Sequence, residues 1–99
     1  IYPKEIEEVI YRYPGVSEVA VIGVPDDVWG ESVKAIVVPK EGASPTEGEI
    51  IEFCRQHLAS YKKPKSVDFV EELPKNSNGK ILKSELKAQY WKGQERMVH

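Results

Sequence analysis

The residues best suited to chemistry lie in Leu73-Pro74-Lys75-Asn76-Ser77-Asn78-Gly79-Lys80-Ile81-Leu82-Lys83, where breakers and small polar residues give way to apolar ones at Ile81. Such a run cannot continue a strand, so it reads as an exposed loop presenting one lysine. Pro74 fixes its own φ, Asn76 and Asn78 tolerate left-handed geometry, and Gly79 permits positive φ immediately before Lys80. A glycine followed by a lysine invites comparison with a phosphate-cradling loop, and the comparison fails. The earlier glycine is missing, Ile81 stands where Ser or Thr is required, and no long helix after a buried strand is in view.

The other candidates are weaker. His57 falls on an apolar helical face without a carboxylate partner or metal-ligand spacing, so it is expected to be a satisfied, partly buried histidine. Cys54 sits on the same face and reads as a small buried hydrophobe. Asp26, Asp27 and Glu31 share a turn, where acids form turns far more often than metal sites, and no metal site is expected. By elimination the sharp candidate is Lys80, a point cation on a flexible stem suited to phosphate and carboxylate. Lys62, Lys63 and Lys65 cluster around Pro64 in a lysine-rich stretch that could face something anionic, with a solvated lysine face as the alternative.

These residues need elements to hold them. Pro3 to Tyr13 carries Ile6, Val9, Ile10 and Tyr13 at helical spacing, with Pro3 at a first-turn position and acids behind it. Pro14-Gly15 ends that helix. Val16 to Val24 is a β-branched run short enough for a strand covered on both faces, and Ser32 to Val38 is a second, expected to pair with it antiparallel across the Pro25 to Glu31 loop. Thr46-Glu47-Gly48-Glu49 matches a capping box, with Ser44-Pro45-Thr46-Glu47 as an overlapping alternative. Ile50, Ile51, Phe53, Cys54, His57 and Leu58 share one face of the helix that follows. Ser66 to Val70 is a third strand, and Leu82, Leu86 and Tyr90 line a third helix. The expected fold is α+β, a small three-stranded mixed sheet flanked by about three helices, in the order helix-strand-strand-helix-strand-helix. Gly93 to His99 is expected to fray.

Ninety-nine residues make one small domain with a thin core. No apolar run approaches the ~20 residues of a membrane span. One cysteine excludes an internal disulfide, and a reducing, cytoplasmic setting is expected. The net charge of −2 hides an acid-rich first half and a lysine-rich second half, so an anionic partner could face the latter. Nucleic acid is disfavoured, because the basic segments lack interleaved aromatics apart from Tyr61 and the total charge is acidic. The chain opens at Ile1 with no methionine or targeting segment, and is expected to be a piece of a longer protein.

Four segments taken together carry a family resemblance: Tyr2-Pro3-Lys4-Glu5-Ile6-Glu7, the Pro25-Asp26 to Gly30-Glu31 loop, Tyr61-Lys62-Lys63-Pro64, and Leu73 through Ile81. In this order they resemble the C-terminal domain of adenylate-forming enzymes, the superfamily of acyl-CoA synthetases, nonribosomal peptide adenylation domains and beetle luciferases. Gly79 through Lys87 resembles the acyl-CoA synthetase branch, that of the fatty-acid-CoA ligases. Peptide-synthetase domains more often follow the lysine with Ile-Asp-Arg. The resemblance implies a mobile lid, residues 1–92, of an enzyme that activates a carboxylic acid, expected to be fatty, with ATP to an acyl-adenylate and transfers the acyl group to CoA. It implies that Lys80 contacts the α-phosphate and the substrate carboxylate, with Pro74, Asn78 and Gly79 positioning it. ATP, Mg2+ and CoA would be bound only in a longer protein whose N-terminal domain is not in this chain, so the isolated domain is expected to be inactive. Lys62, Lys63 and Lys65 are candidates for CoA contact. The alternatives are a free-standing module docking on an anionic partner and an adenylation domain loading a carrier protein.

Overall fold

A computed structural model describes residues 3–59 and 62–92. Within them the chain forms α1 (Pro3–Tyr11), β1 (Val16–Asp26), β2 (Gly30–Pro39), α2 (Glu47–His57), β3 (Ser66–Phe69) and α3 (Lys83–Trp91). The order is the one expected from periodicity. The sheet is mixed, with strand order β1-β2-β3, β1 and β2 antiparallel and β2 and β3 parallel.

The hairpin is tighter than its sequence suggests. Pairing continues through Pro25 opposite Glu31 and Asp26 opposite Gly30, leaving only Asp27, Val28 and Trp29 as the connection. Proline is tolerated inside β1 because this is an edge strand, where an N–H facing away from the ladder is dispensable. Gly30, at φ +79°, supplies the left-handed residue that closes the turn.

Alternation along β1 divides the core in two. Val16, Val19 and Val21 pack with Ile6, Val9 and Ile10 of α1, Ile50 and Cys54 of α2, and Val67 of β3. Ala20, Ile22 and Val24 face the other way, against Leu73 and against Leu86 of α3. Helices α1 and α2 therefore cover one face of the sheet, while α3 and the segment leading into it cover the other. The expectation that β1 is covered on both faces holds, and its physical basis is this two-sided packing.

Helix α2 starts at the Thr46 capping box. Its hydroxyl accepts from the Glu49 N–H at 3.2 Å, and the Glu49 carboxylate accepts from the Thr46 N–H at 2.8 Å. Of the residues expected on its inner face, Ile50 and Cys54 are buried and Ile51, Phe53 and Leu58 half-buried. His57 is a correction, since it is exposed. The ring packs against Phe53 at 4.2 Å between centroids, and Nδ1 lies 2.9 Å from the Phe53 carbonyl, which accepts from the Nδ1–H tautomer. The helix ends at His57, while Cys54 in its last turn and Leu58 just beyond it still pack on the core.

Both edge strands are served by helix carboxylates. Glu7 of α1 accepts from the Val21 N–H on β1 at 2.7 Å, and Glu47 of α2 accepts from the Val67 N–H on β3 at 2.8 Å. Tyr90 of α3 donates to Asp68 of β3 at 2.6 Å, and Lys34 of β2 reaches the other carboxylate oxygen at 3.1 Å, tying the last helix to the two strands. Trp91 donates its indole N–H to the Gly23 carbonyl at 2.9 Å. Among the described residues no helix is long and apolar enough to cross a membrane. The expected fraying of 93–99 lies outside the described residues, as does Tyr61.

Candidate functional site

The segment between β3 and α3 folds back on itself. Lys75 and Ile81 form an antiparallel bridge, and the Leu82 N–H donates to the Pro74 carbonyl at 2.8 Å. Above this base, four hydrogen bonds close the loop, and Asn76 is a partner in all of them. Its N–H donates to the Lys80 carbonyl at 2.9 Å and its carbonyl accepts from the Gly79 N–H at 3.0 Å. Its side-chain oxygen accepts from the N–H groups of Asn78, at 2.8 Å, and Lys80, at 3.0 Å. Asparagine does this because its short side chain reproduces a backbone turn.

Two expectations change here. Neither asparagine adopts left-handed geometry; only Gly79 in this loop does, at φ +84°. Asn76, expected only to tolerate a turn, organises it. The signal was an asparagine two residues ahead of an amide it receives, the spacing of an Asx turn.

The flanks of the loop are anchored to the other side of the fold. Leu73 is buried in the core on the α3 side of the sheet, and Ile81 packs against that core. Lys75 pairs with Glu18 of β1 at 2.8 Å, and Lys83 pairs with Glu7 of α1, the same carboxylate that serves Val21. Lys87, a turn further along α3, approaches Glu31 at 3.9 Å. The Lys80 ammonium differs from these neighbours. Lys80 is exposed, and its side chain makes no hydrogen bond or ion pair with any described residue. The loop therefore holds a backbone still and leaves its cation available.

The second set of lysines sits elsewhere. Lys62 pairs with Glu5 of α1 at 2.9 Å, and Lys65 pairs with Asp26 at 2.6 Å. Asp26 also accepts from the N–H groups of Val28 and Trp29 at 2.9 and 3.0 Å. These contacts, the Lys65 hydrogen bond first, hold the Asp26 carboxyl well below the usual range. Asp26 thus shapes the hairpin tip, and among the described residues no group of three or more His, Cys, Asp and Glu converges on a point where a metal could sit. Lys63 is half-buried and lies near Glu52, whose carboxyl is lowered chiefly by its hydrogen bond from Arg55 and slightly by this lysine.

Sequence reasoning missed Trp29. It is 76% exposed beside Val28 at 74%, on the turn that Asp26 links to Lys65. Position in a loop was visible, but nothing in the sequence told exposure from a folded-back ring. The structure does not bring this corner to Lys80. Glu18 and Asp26, which receive Lys75 and Lys65, are eight residues apart on one strand, roughly 27 Å at the rise of an extended chain. Glu5 and Glu7, which receive Lys62 and Lys83, are two apart on a helix and point to different sides. A hollow of ≈ 220 Å³ bordered by Pro3, Gly23, Glu31 and Lys87 and a second of ≈ 370 Å³ beside Tyr13 and Phe53 both exclude Lys80 from their linings. The loop is a projection rather than a pocket.

Comparison with known proteins shows the family of the chain. The family described as the AMP-binding enzyme C-terminal domain matches residues 5–80, from the first turn of α1 to the projecting lysine, and the chain belongs to that family. Among curated relatives, a long-chain-fatty-acid-CoA ligase, FadD13, of Mycobacterium tuberculosis is 54% identical over 90 residues, 91% of this chain and 18% of that protein. A feruloyl-CoA synthase of an Amycolatopsis species is 50% identical over the same shares. Among solved structures, ATP-bound MatB from Rhodopseudomonas palustris superposes with a TM-score of 0.87 at 44% identity, covering 93% of this chain and 18% of that one. A fatty acyl CoA synthetase of Mycobacterium tuberculosis gives 0.84 at 55%, covering 90% and 18%. The chain thus spans about a fifth of the length of the relatives it matches.

Proposed function

We propose that this chain is the C-terminal lid, residues 1–92, of an AMP-forming acyl-CoA ligase, and that Lys80 is its catalytic residue for acyl-adenylate formation. The observation that carries this reading is the Lys80 ammonium, without a partner among the described residues, at the apex of a hydrogen-bonded loop whose neighbouring lysines Lys75, Lys83 and Lys87 are engaged. In adenylate formation a carboxylate approaches the α-phosphate of ATP, two anions meet, and charge builds on the phosphoryl oxygens. A cation fixed at that point stabilises the transition state more than the separated reactants. Pro74, Asn78 and Gly79 serve by keeping the loop closed, together with Asn76.

The relatives named as fatty-acid-CoA and feruloyl-CoA enzymes support a carboxylic acid as acyl donor and CoA as acceptor, with a fatty acid as the first candidate. ATP and CoA are substrates of the whole protein. Mg2+ finds no ligand set among the described residues and belongs with the rest of the enzyme. The lid supplies one cation and no acyl pocket, so by itself it is inactive, and its first partner is the domain that carries ATP and the acid. The absence of a membrane-crossing helix among the described residues and the single cysteine, a buried thiol, support a cytoplasmic setting.

CoA is assigned to the opposite corner. Lys62, Lys63 and Lys65 are the candidates for its phosphates, Lys62 and Lys65 by exchanging the carboxylates of Glu5 and Asp26 for them, and the exposed Trp29 ring on the turn tied to Lys65 offers a stacking plane for a base. Separation of the two corners supports two half-reactions that use different faces of one small body. The test is Lys80→Ala in the complete enzyme. Adenylation falls on the order of 10² to 10³ in rate, as for loss of one preorganised charge-stabilising donor, while thioester formation from preformed acyl-adenylate is retained. Equal loss of both half-reactions refutes the assignment.

A further inference from the structure

Both asparagines of the chain lie in the Lys80 loop, and the structure treats them oppositely. The Asn76 side-chain oxygen is held by two N–H groups. The Asn78 carboxamide is exposed and makes no hydrogen bond with any described residue. Each is followed by a different obstacle. Ser77 follows Asn76 with a side chain, whereas Gly79 follows Asn78 with none, and the space a Cβ would occupy at Gly79 is empty out to 4 Å.

From this contrast we propose that Asn78 is a self-modification site, converting to aspartate and isoaspartate without an enzyme. The Gly79 backbone nitrogen attacks the Asn78 side-chain carbonyl carbon. Its proton goes to solvent base, a nitrogen-carbon bond closes a five-membered imide, and the side-chain nitrogen leaves as ammonia. Water then opens the ring at either carbonyl. Opening at the backbone carbonyl returns the chain through the former side chain as isoaspartate; opening at the other gives aspartate. Net, one water is consumed, one ammonia is released, and nothing is oxidised or reduced.

The fold sets the pace. Gly79 N–H donates to the Asn76 carbonyl at 3.0 Å, and the attacking nitrogen must leave that bond. The bond lies in an exposed turn, where opening is the low-cost end of local unfolding. Asn76 must instead break both side-chain bonds and the turn built on them, so it reacts far more slowly. Because the reaction needs the amide deprotonated, it accelerates with rising pH.

Either product places a carboxylate two residues from the Lys80 ammonium, where the parent chain has a neutral amide. Isoaspartate also lengthens the backbone by one methylene immediately before Gly79, which disturbs the closure on Asn76. An internal anion then competes with the substrate anions for the one available cation of the loop. That consequence rests on the role assigned to Lys80 above; the chemistry at Asn78 does not.

The experiment is peptide mapping by mass spectrometry of the 99-residue chain. It is incubated folded at mildly acidic and mildly alkaline pH, with a parallel sample unfolded in urea. The expected result is an amide-to-acid mass gain at Asn78 in the folded chain, carried by two chromatographically resolved peptides of equal mass, the aspartate and isoaspartate products, faster at alkaline pH, and little gain at Asn76. In urea both asparagines react. A folded chain in which Asn78 is silent, or in which Asn76 reacts as fast, overturns the proposal. Since the readout is mass, neither result depends on whether Lys80 is catalytic.

Discussion

Glu7 offers the cleanest separation of a hydrogen bond from an ion pair, because one half-buried carboxylate makes both. Its side chain is 19% exposed, accepts from the Val21 N–H at 2.7 Å and pairs with Lys83. Val21 itself is 1% exposed, so its N–H has no ready access to water. Glu7→Ala removes the acceptor and leaves a buried donor unmade, which costs about 1–3 kcal/mol, with up to about 1 kcal/mol more from the ion pair. Glu7→Gln keeps a carbonyl oxygen in the same place and forfeits only the charge, for about 1 kcal/mol or less. In a domain of this size each kcal/mol shifts the melting midpoint by about 4–8 °C. Thermal and urea unfolding followed by circular dichroism should therefore rank parent, Glu7→Gln and Glu7→Ala in that order, with a gap of about 2 kcal/mol between the variants. Raising salt should shrink the deficit of Glu7→Gln and leave most of that of Glu7→Ala, since only the ion pair is screened. Two equal variants, or a Glu7→Ala within about 0.5 kcal/mol of parent, would refute the account of Glu7 as an edge-strand acceptor.

Other perturbations follow from the same geometry. Burial pushes the Cys54 thiol up to about 11 from 9.0. Between those values the unfolded chain loses a proton that the native chain keeps, so stability falls as pH rises through the window. The loss totals roughly 3 kcal/mol, and Cys54→Ala should show a shallower alkaline limb in urea midpoints. Asp68 has the opposite sign. Partial burial raises its carboxyl, but the hydrogen bonds from Tyr90 and Lys34 and the Lys34 charge outweigh it, leaving the carboxyl below 3.8. Its contribution is present above 3.8 and lost as pH falls through the lower native value, so Asp68→Asn should flatten the acid limb. Trp29→Ala should leave the stability of the domain within about 0.5 kcal/mol, because the ring is exposed. In the complete enzyme it should raise the KM for CoA without slowing adenylation; unchanged CoA kinetics would remove Trp29 from the proposed face.

The sequence carried the succession of elements because each announces itself locally. Helical spacing of Ile6, Val9 and Ile10, the Thr46 box and the β-branched runs need no knowledge of distant residues. What it could not carry is long-range pairing. Nothing near Glu7 says that it, rather than Glu5 or Glu8, will meet Val21, since that depends on how α1 lies across β1. Likewise Lys62 and Lys65 look like free cations until Glu5 and Asp26 are brought to them from the far end of the chain. At the candidate site, Gly79 and Lys80 were legible by turn chemistry, whereas Asn76 was undervalued because its importance lies in two side-chain bonds rather than in its own backbone angles. His57 was misplaced because its ring lies against Phe53 and the Phe53 carbonyl rather than on the sheet, a local partner that helical periodicity does not announce.

The two edge-strand carboxylates have a meaning beyond stability. A three-stranded sheet has two borders on which another chain could lay down a further strand, and here Val21 and Val67 present amides on those borders to Glu7 and Glu47. A carboxylate placed over an edge amide both occupies the donor and makes the border repel an incoming strand, which would have to bury the charge. The helices are thus sentries as well as core. A chain lacking both glutamates should grow in solution by adding copies of itself at either margin, and the failure would appear as oligomers before it appeared as unfolding.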